Sequence, residues 1–402
     1  MTRCDALVVG GGPAGSTCAR VLRAAGWDVA VLDRAAFPRD KVCAGWLTPG
    51  VFPLLELTPA EYRNAGLTLE EITAFRTGVL PADTAGGRGT PIETRYAHVV
   101  SYAVRRCEFD DFLLRRSRAR VLAPTPLRSI ARERDRWIAN GEIHAPVLIG
   151  AGGHFCPVAR HLQGTSDVRT PVVAKEAEFE VGSADDGDRP PELLFCRDFE
   201  GYAWCVRKGR YLNVGIGRRE SRHFSAHVND FIARLEADGT LPRNARVRWK
   251  GHAYFASGVG PRPLVGDGVL IVGDAAGLAH PESGEGIHPA IESGWLAANA
   301  LVASGGRCRM EDLSGYADAV TRRHPPVTRP LAPVRAASAA IGRLLLGSSL
   351  FTRHVLLNRW FLRSDGVRPP RDLSPNASTA SSIGTEIPTG QAYRGSSATR
   401  RG

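Results

Sequence analysis

Short apolar runs alternate with amphipathic stretches along the start of the chain. Residues 6–9 are continuously apolar between Asp5 and Gly10, the pattern of a strand buried on both faces. A glycine-rich turn follows, then a helix, then a second apolar strand that ends at Asp33. Residues 34–60 carry Pro38, Pro49, Pro53 and Pro59 and read as loop, and 85–89 as a flexible stretch. A helix is expected over about 108–118 and a short buried strand over 147–150. The rhythm then changes: the runs 172–181, 192–196, 202–206 and 212–216 are separated by turns and predict an antiparallel sheet. The acidic turn 185–188 reads as a solvated hairpin end, and 224–238 as one amphipathic helix. The strand–turn–helix pattern returns with an apolar run at 269–272 and a helix over 287–303. Residues 306–365 predict helices broken by Pro325, Pro326, Pro330 and Pro333, and the polar tail 366–402 predicts disorder.

Composition narrows the class. With 402 residues, 43% of them hydrophobic, the chain can bury a large core. It has no run of 18 apolar residues, so no membrane span is expected. The first strand begins after five residues, leaving no room for a secretory leader, and the expectation is a cytoplasmic protein. Eight cysteines are scattered singly with no CxxC pair, which predicts free thiols and no metal site. The formal charge of +11 comes without any nucleic-acid-binding motif, so no nucleic-acid partner is expected.

Two turns carry the candidate chemistry. Gly10, Gly12 and Gly15 complete a GxGxxG pattern with Pro13 and Ala14 between strand and helix, the context that the motif requires. The glycines allow a tight turn, approach of backbone to a pyrophosphate, and close helix–strand packing. Asp33, 18 residues after Gly15, is placed to accept hydrogen bonds from an adenosine ribose, with Arg34 beside it. At the second turn, Asp274 can bind the ribityl hydroxyls of a flavin. The turn glycines Gly284 and Gly286 lead into a helix from Ile287, whose free N–H groups can face the pyrimidine ring and stabilise charge on the reduced flavin. Nicotinamide offers neither feature, so the pair of turns points to FAD. His280 and His288 flank this turn and read as structural hydrogen-bonding groups, or as groups that reach the flavin edge or the substrate.

Five stretches in this order resemble the geranylgeranyl reductase family, within the para-hydroxybenzoate-hydroxylase-like FAD superfamily. They are GGGPAGS at 10–16, FPRDKVCAGW at 37–46, RRCEFDDFLL at 105–114, GYAWCVRKGRYLNVGIG at 201–217 and GDAAGLAHPESGEGI at 273–287. The resemblance implies an α/β fold. A Rossmann-type FAD-binding domain (1–80, 104–165, 256–305) carries an inserted antiparallel-sheet substrate domain (81–103, 166–255) and a C-terminal helical region (306–365). It implies that Arg106 approaches the FAD, with Phe109 and Asp110 behind it. It implies that Cys43 and Ala44 face the flavin ring, Cys43 as a candidate proton donor, and that Tyr202 and Trp204 line the substrate site. Alternation along a strand puts these two rings on one face, suited to a long or flat apolar substrate. Three positions depart from the family pattern. Trp204 is followed by Cys205-Val206-Arg207 rather than a Phe-Pro pair, Ala151-Gly152-Gly153 lacks an aspartate, and Cys43-Ala44-Gly45 replaces Cys-Gly-Gly. The missing aspartate leaves open whether NAD(P)H or another reductant supplies the electrons.

Three functions remain open at the level of sequence. The first is reduction of carbon–carbon double bonds in a prenyl or other apolar substrate, with the hydride from reduced flavin and a proton from Cys43 or water. The second is an FAD-dependent monooxygenase that hydroxylates an aromatic or polyketide-like compound. The third is an electron-transfer flavoprotein without a substrate pocket, working with a partner protein. The basic amphipathic stretch 334–363 is compatible with peripheral membrane contact or with packing on the core.

Overall fold

The computed structural model describes residues 1–80, 91–164, 171–181, 189–219, 223–242, 247–254, 263–325, 345 and 348–363. The stretch 85–89, the acidic turn 185–188 and the tail 366–402 lie outside the described residues.

The apolar runs build a parallel sheet. Its strands stand in the order Val269–Ile271, Val147–Gly150, Ala6–Val9, Val29–Leu32 and Arg120–Leu122, with the short antiparallel strand Val265–Gly266 at one edge. Every residue of Ala6–Val9 is buried, which explains its unbroken apolar sequence. The helices Pro13–Ala24 and Ile287–Ala303 pack against each other. Their contact is close because Gly294 has no side chain: a Cβ there would stand 2.2 Å from the Ala14 carbonyl oxygen. The helix Arg106–Arg116 starts two residues before the expected 108, because Arg106 is paired with Asp110 one turn on.

The second sheet has seven strands, in the order Lys250–Tyr254, Val172–Glu180, Tyr211–Arg218, Gly201–Lys208, Glu192–Cys196, Ala74–Leu80 and Ile92–Arg95. All neighbours are antiparallel except Glu192–Cys196 and Ala74–Leu80. Thus Ala74–Leu80, which precedes the expected boundary at residue 80, hydrogen-bonds into this sheet. Alternation sorts the strand Gly201–Lys208. Ala203 packs towards the helix Phe224–Ala237, whereas Trp204 and Val206 pack on the opposite face with Leu356, Leu357 and Phe361. The described part of the basic amphipathic stretch therefore buries Leu356 and Leu357 against the sheet, and Arg353 stacks over Tyr96 at 5.0 Å. Among the described residues no helix is long and apolar enough to cross a membrane.

Candidate active site

A cavity of about 1010 Å³ runs from the ends of the parallel strands to the face of the seven-stranded sheet. It is bordered by Gly10, Gly12, Pro13, Ala14, Asp33, Arg34, Cys43, Ala44, Arg106, Tyr202, Trp204, Asp274, Gly284, Gly286 and Ile287. Of the residues expected at a site, only Gly15 stands outside this lining. A Cβ on Gly15 would fall 1.9 Å from the Gly10 carbonyl oxygen, so this glycine serves the packing of helix on strand. The cavity's volume is at the upper end of the ~300–1000 Å³ usual for small-molecule sites, as a long ligand requires.

One end suits a nucleotide diphosphate. Gly10 has φ +114° and its missing Cβ would meet the Ala151 carbonyl oxygen at 2.3 Å, so only glycine makes this turn. The Gly12 Cα faces the cavity, where a Cβ would meet only Arg39 Nη2 at 3.6 Å. The first N–H groups of the helix Pro13–Ala24 lack intrahelical acceptors and can receive phosphate oxygens. Arg34, Arg39 and Arg160 border the same region. Asp33 Oδ2 accepts from the Gly11 N–H at 2.8 Å and Oδ1 from the Ala35 N–H at 2.9 Å. These bonds fix the carboxylate and leave lone pairs for ribose hydroxyls.

The other end suits a flavin. Asp274 follows the strand Val269–Ile271 and borders the cavity. Gly284 (φ +69°) has no room for a side chain, because a Cβ would come 2.2 Å from Tyr254 Oη. At Gly286 a Cβ would press on Asp274 Oδ1 at 3.0 Å. Helix Ile287–Ala303 begins here, as expected, but its first donors turn to Glu285: the His288 N–H donates to Oε1 at 2.7 Å, and the Ile287 N–H also reaches this carboxylate. Lys41 and His252 form a short hydrogen bond at the cavity wall. Burial lowers the pKa of Lys41, with Asp274 opposing, and pushes His252 down to about 3. The donor set, the two turns that exclude side chains and the length of the cavity fit FAD.

Cys43 borders the same cavity. Its N–H donates to Glu176 Oε2 at 2.6 Å, and its sulfur accepts from the Gly45 N–H at 3.4 Å. The buried Arg106 guanidinium makes a two-bond pair with Asp110 (2.8 and 3.0 Å) and also reaches the Cys43 thiol. Burial pushes Glu176 up to about 6, with Lys208 opposing. Asn213 ties this carboxylate to the aromatic wall: its Nδ2 donates to Glu176 Oε2 at 3.5 Å, and its Oδ1 accepts from Trp204 Nε1 at 2.7 Å. Tyr202 and Trp204 share one strand face with ring centroids 6.1 Å apart, and Phe361 packs edge-on to Tyr202 at 5.2 Å. The Tyr202 hydroxyl donates to the Ser283 carbonyl and thereby joins the sheet to the second glycine turn.

Lys41, Glu176, His252, Tyr254 and Glu285 are absent from the sequence-based expectation. Lys41 and Glu285 stand inside motif stretches and offered that signal. Glu176, His252 and Tyr254 sit in ordinary strand patterns and offered none. Among the described residues no group of three or more His, Cys, Asp or Glu has metal-holding geometry.

The fold and this cavity define an FAD-dependent oxidoreductase, and a family profile described as FAD dependent oxidoreductase matches residues 5–86. Relatives narrow the class. Digeranylgeranylglycerophospholipid reductase 2 of Methanothermobacter thermautotrophicus is 30% identical over 336 residues, covering 78% of this chain and 82% of that one. Menaquinone reductase of Mycobacterium tuberculosis is 30% identical over 320 residues, covering 74% and 76%. The chain belongs to the geranylgeranyl reductase family of FAD-dependent enzymes. Among solved structures, a geranylgeranyl bacteriochlorophyll reductase-like protein of Thermoplasma acidophilum shares the fold, with TM-score 0.65, 22% identity and coverage of 87% and 88%.

Proposed function

We propose that this protein reduces carbon–carbon double bonds of a prenyl or similarly apolar chain. The observation that carries the reading is that Cys43, reached by the Arg106 guanidinium, borders one cavity with Tyr202 and Trp204. FAD bound along the two glycine turns supplies the hydride from its reduced ring. Gly10, Gly12, Pro13, Ala14, Asp33 and Arg34 hold the nucleotide end, and Ala44, Asp274, Gly284, Gly286 and Ile287 the flavin end. Tyr202, Trp204 and Phe361 position the apolar chain and exclude water. Cys43 donates a proton to the carbon left electron-rich, and Arg106 stabilises the charge then left on sulfur. The alkene π bond is lost and two C–H bonds form. The two electrons would come from the bound reduced FAD and be restored by an external two-electron donor.

The test reduces the FAD-loaded protein without oxygen and mixes it with menaquinone or geranylgeranyl lipids in deuterated water. Flavin reoxidation coupled to deuterium in the reduced product supports the reading. Reoxidation only by oxygen, with oxygen in the product, overturns it in favour of a monooxygenase. Cys43→Ser should retain FAD and lose about 100-fold in turnover; an unchanged rate removes Cys43 from the chemistry.

A further inference from the structure

Behind the second glycine turn stands a row of titratable side chains that the proposed reaction leaves unused. Glu285 and His280 border the cavity. Glu285 Oε2 lies 3.8 Å from His280 Nε2 and, although buried, has no hydrogen-bond partner among the described residues. The His280 and His324 rings stand 5.7 Å apart with 38° between their planes. His324 Nε2 is 3.1 Å from Glu292 Oε2, and His324 Nδ1 is a second buried atom without a partner among the described residues. Glu292 is the most exposed of the four, its side chain 15% accessible, and its other oxygen is 3.3 Å from Arg323 Nη1.

Buried polar groups kept for stability close their hydrogen bonds, because an open one costs free energy. Here the open atoms fall at the two joints of the row, on Glu285 and on His324. Glu285 Oε2 and His280 Nε2, 3.8 Å apart, come within hydrogen-bond reach through a small side-chain shift. The protonation states suit transfer. Burial pushes Glu285 up to about 7, against the His288 N–H and Arg363. Burial, then Arg363, His324 and His288, hold His280 down at about 3, so its ring is neutral. Burial also lowers His288. Burial alone would raise Glu292, but the His324 bond together with the charges of His324, His288 and Arg323 lowers it. Facing the row are Asp274 from the turn, His288 from helix Ile287–Ala303, Arg323 from the end of helix Met310–Arg323, Arg363 after the segment Thr352–Leu362, and Tyr202 from the sheet.

We propose that Glu285, His280, His324 and Glu292 form a proton route from solvent into the cavity. The route rests on the reading of the cavity as a site that consumes one proton per turnover. Glu285 releases its proton inward and regains one from His280. Each imidazole gives a proton from one ring nitrogen as it takes one on the other. Glu292 collects the next from solvent, and no net charge stays behind. The inner end of the route, Glu285, borders the same cavity as the proposed acid Cys43, and Tyr202 lies within electrostatic reach of both.

The test needs no substrate, so its failure is separable from failure of alkene reduction. The FAD-loaded protein is jumped from pH above to pH below about 7, and the carbonyl stretch of protonated Glu285 is followed by infrared spectroscopy. Glu285→Gln identifies the band by removing it. The band should grow at least about tenfold more slowly in His280→Asn and His324→Gln, and imidazole should restore the rate in His280→Ala. Glu292→Gln, at the exposed end, gives a variant less disruptive to the core and should also slow it. Wild-type rates in the histidine variants or in Glu292→Gln, or no titrating band near neutral pH, overturn the route.

Discussion

Cys43 is held by what surrounds its backbone as much as by its sulfur. Glu176 accepts the Cys43 N–H at 2.6 Å from a strand more than a hundred residues away in sequence. Glu176→Ala leaves that N–H with no carboxylate acceptor and should cost about 1–3 kcal/mol. It should also lower turnover through a displaced Cys43 loop, with FAD content unchanged. Denaturant titration and turnover per bound FAD check both, and a variant as stable and active as wild type would remove Glu176 as a positioning residue. Cys43 was legible in the sequence because it stands in a family stretch. Glu176 was not, because a glutamate that shares a strand face with Glu178 and Glu180 looks solvated until the chain folds over it.

At the scale of elements, the strand Tyr211–Arg218 supplies the floor on which Trp204 rests. A Cβ on Gly215 would meet the indole at 2.2 Å, and one on Gly217 would stand 3.7 Å from it. Gly215→Ala should therefore expel the indole, break its bond to Asn213 Oδ1, and cost about 1–3 kcal/mol. The expected signs are a lower melting temperature and a red-shifted tryptophan emission, whereas Gly217→Ala should change both much less. Equal behaviour of the two variants would show that the ring does not rest on Gly215. The sequence pattern already put Tyr202 and Trp204 on one face, since a strand has period 2. It carried no trace of Phe361 closing on Tyr202, which depends on how the C-terminal segment crosses the sheet.

Over the whole molecule, FAD and pH act on stability through the same cavity. Free FAD at a hundredfold over its dissociation constant should add about 2.7 kcal/mol. Gly10→Ala should abolish the rise in melting temperature, because the new Cβ meets the Ala151 carbonyl at 2.3 Å. His252 and His280 are held by burial at about 3, below their ordinary 6.5, so folding favours their neutral forms. Their contribution is whole above pH 6.5 and is lost as pH falls towards 3. Glu176 and Glu285, raised by burial to about 6 and about 7, act oppositely: their contribution is whole below 4.5 and lost as pH rises through those values. The melting temperature of His252→Asn should thus fall less than that of wild type between pH 6.5 and 4. Parallel curves for the two proteins would mean that His252 is not held neutral.

The sequence by itself determined the two glycine turns, the acids Asp33 and Asp274, and the class of cofactor. These depend on local geometry: a turn that needs glycine, a helix end that offers N–H groups, and a strand that ends in a carboxylate, each read within about 20 residues. It also determined the buried strands that frame the cavity, from Ala6–Val9 to Val269–Ile271, and the helix Ile287–Ala303, because burial on one face or two leaves a period in the chain, whereas the short strands over 46–104 and 130–145 went unread. Only the tertiary structure decided what meets across the cavity. Glu176 beneath Cys43, Lys41 against His252, Phe361 on Tyr202, and the row from Glu285 to Glu292 are contacts between segments remote in sequence or side chains around a buried turn. Whether such a polar group is a solvated surface residue or a buried one with an altered pKa depends on which neighbours remove its water, and no local pattern records that.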